Sequence, residues 1–537
     1  MDMSVAADLS APVGLRPTFR EPERIAAWGF SAALIAAAIY VAIHLVGDIQ
    51  TAGESLSALT FAILGAALAL ALGFEFVNGF HDTANAVATV IYTRSLSPTV
   101  AVVWSGIWNF LGAAATAGAV AYAIIALLPV ELILQVGSAA GYAMVFAILI
   151  SAIVWNVGTW YLGIPNSSSH CLIGSILGVG LANQLMAQVG VATSGVDWSQ
   201  AEKVGKSLFM SPLIGFTAAA ILLLAIKILA RNPKLHKAPT TNDPPPWWIR
   251  GVLISTCTAV SFAHGGNDGQ KGMGLLMLIL IGAAPAAFAL NRGMPDRDVA
   301  AIVRSIEDVA VVAEGRAGAP PSIEAARAQL GAALQAKSMD SPESAGALAV
   351  LSRKIGADLS AAGTLKALPR EDARQLRSDL YVVGEASKIL SKKGAGLSEA
   401  DKSALTTAAS QTLAATRFIP DWVKFAVAIA LGLGTMVGWK RIVITIGERI
   451  GRMHMTYAQG AAAETIAATT ILTAQHFGLP VSTTHVLSSG VAGTMAANGS
   501  GLQWRTVGRI ASAWLLTLPA VICLSGILYY AFLSLVS

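Results

Sequence analysis

The sequence predicts an all-α, polytopic membrane protein of about ten to twelve transmembrane helices, and three observations support that prediction. The chain has 537 residues, of which 55% are hydrophobic. Charged residues make up 12%, about half the share typical of a soluble domain, and the mean hydropathy is +0.63. Apolar stretches long enough to cross a bilayer recur along the chain. This composition excludes a disordered, fibrous or ordinary cytosolic protein.

The apolar stretches define the predicted helices in order. They lie at 27–47, 57–79, 99–127, 139–162, 206–230, 251–290, 420–439, 457–477 and 504–533. Two shorter stretches rich in Gly and Ser, at 164–185 and 479–500, are predicted to be re-entrant hairpins. Arg16, Arg20 and Arg24 precede the first stretch, which favours an uncleaved signal anchor with its N-terminus inside.

A soluble insert interrupts the apolar chain. Residues 291–417 contain 17 Lys/Arg and 15 Asp/Glu, close to half of all charged side chains. The helical periodicity of this segment predicts a small helical domain at 291–419. The other predicted units are an N-terminal tail with an extra transmembrane helix at 1–56, a first repeat at 57–230, a basic loop with the start of the second repeat at 231–290, and the remainder of that repeat at 420–537.

Several function classes are disfavoured by what the sequence lacks. The net charge of +5 fits basic cytoplasmic loops better than nucleic-acid binding. The three cysteines stand in apolar runs without the spacing of metal ligands. Phosphate-loop, Rossmann, HExxH and GxSxG motifs are missing, so no ATP-driven pump and no cofactor is expected.

An internal repeat of hydroxyl-rich motifs organises the sequence. The pattern Pro-x-Ser-[Ser/Thr]-[Ser/Thr]-His begins at Pro165 and again at Pro480, and a Tyr-Ala pair stands 23 residues before each proline. A shorter pair of motifs surrounds Asp82 and Asp268. The spacings from Asp to Pro in the two copies differ by 129 residues, which is the length of segment 291–419. Two homologous membrane halves of this kind are typical of a secondary transporter, and whether they are inverted depends on the number of crossings between them.

The aspartate motifs place carboxylates next to apolar segments. A carboxylate in hydrocarbon is costly unless it faces a cavity, a cation or a partner, so Asp82 and Asp268 are candidate binding residues. The neighbouring glycines, such as Gly79 and Gly265, are predicted to let the helices break and to bring backbone close to a ligand. The alternative is that these motifs are loop ends at the membrane surface.

The hydroxyl motifs suggest anion binding at helix N-termini. Ser167, Ser168 and Ser169 in the first copy, and Ser482, Thr483 and Thr484 in the second, precede Gly-containing apolar runs, as N-caps of half-helices would. The alternatives are hydroxyl packing between helices and, as a different class, an intramembrane hydrolase that uses Ser169 with His170 or Thr484 with His485. Neighbouring residues seldom form such a nucleophile–base pair.

Two glutamates in apolar runs remain. Glu75 lies two helical turns before Asp82 and on the same face, and it is a candidate either to relay protons or to pair with a cation. Glu464 allows the same two interpretations.

The motifs resemble those of the bacterial Pit-type low-affinity inorganic phosphate transporters, within the wider phosphate permease family that includes the mammalian sodium–phosphate symporters. The resemblance runs from about residue 57 to the C-terminus and rests on segments 78–89 and 264–272 and on the two Pro-x-Ser-x-x-His motifs. It implies an inverted-repeat permease without enzymatic activity that holds phosphate, or its analogue arsenate, between the halves. The residues that it implies for binding are Asp82, Asn85, Asn267, Asp268, Ser167, Ser168, Ser169, Ser482, Thr483 and Thr484.

The resemblance also implies proton symport with alternating access, with phosphate moving largely as a neutral divalent metal–phosphate complex. Asp82 and Asp268 are then candidate metal contacts, and the metal is unspecified. The alternative is a sodium-coupled symporter. Sodium-coupled members have Asn-Asp-x-x-Asn in both halves, whereas this chain has His81 and Lys271 at two of those positions. A protonated amine has no lone pair for sodium, so Lys271 is a coupling candidate. His81 is a second one, because an imidazole can carry a proton, and Glu75 is the third. The alternative for Lys271 is a permanent ion pair with Asp268.

The predicted location is the bacterial inner membrane, as a multi-pass protein in the lipid bilayer. The basic loops at 231–250 and 440–454 are predicted to be cytoplasmic, which would place the insert outside the cell membrane. Mammalian relatives, in contrast, carry their large loop in the cytoplasm. The side of the insert and a homo-oligomeric state are both left open.

Overall fold

The computed structural model describes residues 24–125, 127–128, 138–186, 196–241, 243–368 and 372–536. Within these ranges the regular structure is helical, apart from one isolated bridge between Gly451 and Leu502. The predicted all-α class is therefore confirmed. Of the three arginines that led to the signal-anchor prediction, Arg16 and Arg20 lie outside the described residues.

In the first part of the chain, the described residues form seven helices. They are α1 (Arg24–Thr51), α2 (Ala58–Tyr92), α3 (Pro98–Ala114), α4 (Ala119–Ile125), α5 (Ala139–Tyr161), α6 (Ser168–Met186) and α7 (Trp198–Leu229). The predicted stretch 99–127 is thus two helices, α3 and α4, which meet at a bend of 75°.

The second part begins with α8 (Trp247–Ala283) and the short α9 (Pro285–Phe288). The insert follows as α10 (Asp296–Glu314), α11 (Ile323–Ala336), α12 (Pro342–Ala362), α13 (Asp372–Lys393) and α14 (Glu399–Thr416). The chain returns to apolar sequence in α15 (Asp421–Thr435), α16 (Lys440–Glu448), α17 (Tyr457–His476), α18 (Thr483–Asn498) and α19 (Trp504–Val536).

Long apolar helices make this a multi-pass membrane protein. Six described helices are long and apolar enough to cross a bilayer, or up to eight if each of two bent pairs counts as one span. Helix α8 is not among the six, although it has 37 residues, because buried polar side chains interrupt its apolar sequence. The ten to twelve crossings, the re-entrant hairpins and the inverted arrangement of the repeats stay predictions.

The helices that carry the aspartate motifs do not break. Helix α2 continues through Asp82, and α8 continues through Asp268. The prediction that the glycines around the aspartates interrupt the helices was therefore wrong. These glycines instead allow close helix packing, because a Cβ atom at Gly79 would lie 2.3 Å from the Leu431 carbonyl oxygen of α15, and one at Gly265 would lie 2.0 Å from the Asn109 carbonyl oxygen of α3.

The same close contact occurs twice between different helices. Gly112 of α3 lies against Phe262 of α8, and Gly434 of α15 lies against Phe76 of α2. In each case a Cβ atom on the glycine would come 2.1 Å from the phenylalanine carbonyl oxygen. Phe76 and Phe262 are as far apart in sequence as Asp82 and Asp268. This duplication is the pattern expected of two repeats that pack against each other's long helix.

The two helices that begin at the hydroxyl motifs, α6 and α18, are each held by a long apolar helix. Helix α6 packs against α19, and α18 packs against α7. Gly178 and Gly493 permit the approach, since a Cβ atom at either would lie within 2.2 Å of a carbonyl oxygen, that of Ile522 or Phe216. The N-terminal ends of α6 and α18 are thereby fixed beside the middle of α2 and α8.

The insert has a hydrophobic core of its own, formed by residues of α10 to α14. It also contacts the membrane part of the chain through Lys337, whose Nζ lies 2.7 Å from Oδ1 of Asp197 at the start of α7. Burial alone would raise the pKa of Asp197. Hydrogen bonds from Lys337, Ser199 and the Gln200 backbone outweigh that effect and hold the pKa below its usual range.

We expect Gly434→Ala to destabilise the protein by about 1–3 kcal/mol, because the added methyl group forces α15 away from α2. Gly158→Ala is the matched control, since a Cβ atom there has nothing within 4 Å. The measurement is thermal unfolding of both variants in detergent. Equal stability of the two variants would contradict the packing described here.

Candidate functional site

Two carboxylates and two hydroxyls from four helices meet in the interior of the membrane part. Asp82 lies in α2 and Asp268 in α8, while Ser168 and Thr484 lie in the first turns of α6 and α18. All four side chains are buried, with at most 3% exposed. The structure therefore brings the two repeated motif pairs together at one place.

Asp82 accepts one hydrogen bond from a hydroxyl of α6 and one from a hydroxyl of α18. Its Oδ2 accepts a hydrogen bond from Oγ of Ser168 at 2.8 Å, and its Oδ1 accepts one from Oγ1 of Thr484 at 2.5 Å. The Nδ1 atom of His81 lies 3.1 Å from the same Oδ1. These hydrogen bonds compensate for the loss of water around the carboxylate.

Ser168 connects both aspartates. Its Oγ lies 2.6 Å from Oδ1 of Asn78, 2.8 Å from Oδ2 of Asp82 and 3.4 Å from Oδ2 of Asp268. A hydroxyl group has a single proton and donates to one acceptor at a time. Ser168 can therefore exchange its hydrogen bond between the two halves of the protein.

Asp268 forms a buried ion pair with Lys271. The Lys271 Nζ lies 2.6 Å from Asp268 Oδ1, and neither side chain is exposed to solvent. The same ammonium group donates to Ser169 Oγ at 2.5 Å, and Ser169 donates in turn to the Val481 carbonyl oxygen at 2.8 Å. The lysine thus links α8 to the first hydroxyl motif, and Ser169 links that motif to the second.

His264 is a site residue that the sequence reasoning missed. Its Nδ1 lies 2.7 Å from Oδ1 of Asn109, and if Nδ1 carries the hydrogen, Nε2 presents a lone pair. That Nε2 lies 3.6 Å from Asp268 Oδ2 and 3.9 Å from Asp82 Oδ2. The signal was present, because His264 stands four residues before Asp268 and so on the same helix face.

The three side chains around this point have the composition of a metal site. Ligand atoms of Asp82, His264 and Asp268 all lie within 4.8 Å of one another. Carboxylate and imidazole together suit divalent transition metals and zinc. The Asn109 contact is the outer hydrogen bond that usually orients a metal-binding histidine.

The remaining predicted residues have different surroundings. Ser167 and Ser482 cap α6 and α18, since their hydroxyls accept from the backbone N–H groups of His170 and His485, which confirms the predicted N-caps. Asn267 donates to the Leu479 carbonyl oxygen at 3.4 Å. The buried Thr483 hydroxyl has no hydrogen-bond partner among the described residues.

Glu75 and Asn85 are the last two predicted site residues. Glu75 is fully buried, accepts from Asn78 at 3.3 Å and lies against Gly272 on α8. Asn85 belongs to α2, but its side chain lies outside the described residues.

The geometry does not form the hydrolase pairs that the sequence left open. The ring of His170 contacts Ser167 at 2.8 Å, and the Ser169 hydroxyl donates to a carbonyl oxygen. The Thr484 hydroxyl donates to Asp82 and is thereby directed away from His485.

Comparison with known proteins identifies the family. A model of the phosphate transporter family matches residues 78–525. The low-affinity inorganic phosphate transporter PitB of Escherichia coli K12 is 40% identical over 497 residues, which cover 89% of this chain and 98% of that protein. The chain belongs to the phosphate transporter family. PitA of the same organism is 42% identical over 492 residues, 88% of this chain and 97% of PitA.

The family resemblance drawn from the motifs is therefore confirmed, and the hydrolase alternative is wrong because the named relatives are transporters. A solved structure of a sodium-dependent phosphate transporter also matches, with 18% identity and a TM-score of 0.47, and covers 89% of this chain and 100% of that one.

We expect Lys271→Met to destabilise the protein by about 3–5 kcal/mol, because it leaves Asp268 as an uncompensated buried charge. The double variant Lys271→Met with Asp268→Asn removes both charges and should recover most of the loss. Lys206→Met is the control, since Lys206 pairs with Glu202 at 2.6 Å on an exposed surface. Thermal unfolding in detergent measures the stability of all three variants. Unchanged stability of Lys271→Met would contradict the buried ion pair.

Proposed function

We propose that this phosphate transporter is a proton symporter that imports inorganic phosphate and binds it between Asp82 and Asp268. The observation that carries the proposal is the convergence of both carboxylates on the Ser168 hydroxyl, with the Thr484 hydroxyl beside them. Each repeated motif contributes one of these four groups. A tetrahedral ligand placed there contacts both halves of the protein at once.

The donors and acceptors of this site suit a protonated phosphate. The hydroxyls of Ser168 and Thr484 and the N-terminal ends of α6 and α18 offer hydrogen bonds to phosphate oxygens. The carboxylates accept hydrogen bonds from the P–OH groups of phosphate. Arsenate has the same shape and protons, whereas sulfate has no proton to donate at neutral pH, so arsenate should compete and sulfate should not.

Coupling to protons is supported by the position of Lys271. The sodium-coupled members that the motif resembles have Asn there, whereas here an ammonium group contacts a carboxylate and a hydroxyl, both of which are oxygen ligands that a sodium ion would need. His81 contacts Asp82 through Nδ1, and its Nε2 lies 3.3 Å from Thr159 Oγ1. His81 thus links the Asp82 carboxylate to a hydroxyl of α5, and we place it with Lys271 among the coupling residues.

A divalent metal ion as part of the substrate is supported by the Asp82, His264 and Asp268 cluster. A metal ion bound to phosphate offsets the charge that would otherwise repel the anion from two carboxylates. Transport then follows alternating access, in which α2 and α8 with their hairpin helices open the site to one side at a time.

Uptake of labelled phosphate into proteoliposomes tests the coupling, with the pH and sodium gradients set separately at fixed membrane potential. We expect uptake to follow the inward proton gradient and to be unaffected by sodium. Stimulation by sodium at constant pH would instead favour the sodium-coupled alternative and would refute the role given to Lys271.

Lys271→Asn recreates the spacing of the sodium-coupled motif. We expect this variant to lose most proton-driven uptake, because the ammonium group that replaces the cation is gone. The same uptake assay measures it, with Lys206→Asn as the matched surface control. Unchanged uptake by Lys271→Asn would reduce Lys271 to a structural ion-pair partner.

His264→Ala should raise the concentration of divalent metal that half-maximal phosphate uptake requires, because one of three ligands is lost. His236→Ala, in the loop between α7 and α8, is the matched histidine control. The assay is initial uptake at fixed total phosphate while the metal ion is varied. An unaltered metal dependence in His264→Ala would contradict the proposed metal contact.

A further inference from the structure

A small cleft lies where the insert meets the membrane part of the chain, and no residue of the phosphate site lines it. Its insert wall comes from α13 and from Leu334 and Lys337 at the end of α11, and its membrane wall comes from Leu128 and the first residues of α7. The volume of the cleft is about 240 Å³, below the roughly 300–1,000 Å³ of pockets for drug-sized ligands. A cleft of this size suits a small ion or a single headgroup.

Lysine side chains dominate the charge of this cleft. Five lysines line it against two carboxylates, those of Asp197 and Glu385. Asp197 pairs with Lys337 at 2.7 Å, and Glu385 pairs with Lys388 at 3.1 Å. Each carboxylate therefore already has a lysine partner within the cleft. The other three lysines are Lys203, Lys392 and Lys393.

Lys203 and Lys392 lack an acidic partner. Among the residues that the structure describes, no carboxylate oxygen lies within 4.0 Å of either ammonium group, whereas Lys393 donates to the Lys337 carbonyl oxygen at 3.1 Å. Lys203 belongs to α7 and Lys392 to the last turn of α13, so the two stand on opposite walls. Like charges on opposite walls repel each other, and an anion between them removes that repulsion.

We propose that this cleft binds a phosphate group and is a second, regulatory site of the transporter. A phosphate group is negatively charged at neutral pH, and its oxygens accept several hydrogen bonds. The ammonium groups of Lys203 and Lys392 supply both positive charge and hydrogen-bond donors from opposite walls. Because Asp197 and Glu385 are paired with lysines, they do not repel the anion strongly.

Inorganic phosphate and the phosphate of a lipid headgroup share this chemistry. Lys203 and Lys392 are exposed, so phosphate from solution can reach them. Trp198, at the start of α7, is 57% exposed, and exposed tryptophans are typical of the membrane surface. Dissolved phosphate and lipid headgroups are therefore both available at the level of the cleft.

The membrane wall of the cleft is connected to the phosphate site through α7. This helix packs along α18, whose first turn holds the Thr484 hydroxyl against Asp82. The helices approach closely at Gly215, where a Cβ atom would lie 2.3 Å from the Val486 carbonyl oxygen. A restraint on α7 therefore also restrains the end of α18 that contributes to the phosphate site.

The insert wall is connected to the membrane part through Glu385. Its carboxylate contacts Lys388 in the cleft and Arg417 after α14, at 3.1 Å in each case. The Arg417 guanidinium group lies 5.6 Å from the ring centre of Tyr122 on α4, within the range of a cation–π contact. The charges of the cleft are thus linked to a helix of the membrane part.

Helix α4 is bonded in turn to α8 beside the phosphate site. The backbone N–H of Val120 donates to Oε1 of Gln270 at 2.8 Å, and Gln270 precedes Lys271, the partner of Asp268. A phosphate group that bridges α7 and α13 therefore joins the insert to both α18 and α8. Alternating access, which is part of the function proposed above, requires these helices to move, so we expect phosphate in the cleft to slow transport.

The double variant Lys203→Gln with Lys392→Gln, the cleft variant, removes one ammonium group from each wall. Lys206→Gln with Lys402→Gln is the matched control, because each of these lysines pairs with an acid outside the cleft. Equilibrium binding of labelled phosphate to the purified protein should show a second, weaker component. We expect the cleft variant to weaken this component by about tenfold and the control to leave it unchanged. The tighter component, at the transport site, should be the same in both.

Exchange of labelled for unlabelled phosphate in proteoliposomes measures the effect on transport. In vesicles of phosphatidylcholine, the exchange rate of the unmodified protein should pass through a maximum as phosphate rises, whereas the rate of the cleft variant should reach a plateau. If a headgroup is the ligand instead, the weaker binding component and the maximum are absent. Phosphatidylglycerol in the vesicles should then slow the unmodified protein and the control but not the cleft variant.

The proposal is overturned if the cleft variant and the control behave alike, with the same phosphate binding and the same response of exchange to phosphate and to phosphatidylglycerol. Weaker binding by the cleft variant with unchanged exchange would overturn the regulatory role. A tighter component that survives Asp82→Asn would instead contradict the transport site proposed above, so the two failures are distinguishable.

Discussion

Two carboxylates buried in a membrane protein need charged or hydrogen-bonding partners, and the rest of this structure supplies them. Asp82 and Asp268 lie away from water, where an unpaired charge is costly. The Lys271 ammonium group pairs with Asp268, and hydroxyls from both hydroxyl motifs donate hydrogen bonds to Asp82. Because the carboxylates and these partners come from four helices, the carboxylates can be satisfied only when both halves of the chain are assembled around them.

Close packing of the helices makes this assembly possible. The glycines of α3 and α15 bring backbone atoms of one half against the long helix of the other, and the contact is the same in both places. Helices α6 and α18 are each held by a long apolar helix, which fixes their N-terminal ends. Small residues therefore stabilise the packing of these helices, as large apolar side chains stabilise a soluble core, since helices in lipid associate through close contact.

Much of the fold and part of the site could be predicted from the sequence. Apolar stretches predict the helices. The repeated Pro-x-Ser motif predicts that Ser168 and Thr484 occupy equivalent places in the two repeats, because the same sequence pattern is buried and capped in the same way. Continuity of α2 and α8 through their glycines could not be predicted, since glycine permits both a break and a close contact. The contact of His264 with both aspartates depends on how α2 and α8 cross, which a single sequence does not reveal.

The central claim is that phosphate binds between Asp82 and Asp268. Equilibrium binding of labelled phosphate to the purified protein tests it without any assumption about coupling, using Asp82→Asn, Asp268→Asn and the control Asp197→Asn, whose carboxylate pairs with Lys337 outside the site. We expect both site variants to lose binding, the control to keep it, and arsenate but not sulfate to displace phosphate. Binding by either site variant with the affinity of the unmodified protein would contradict it.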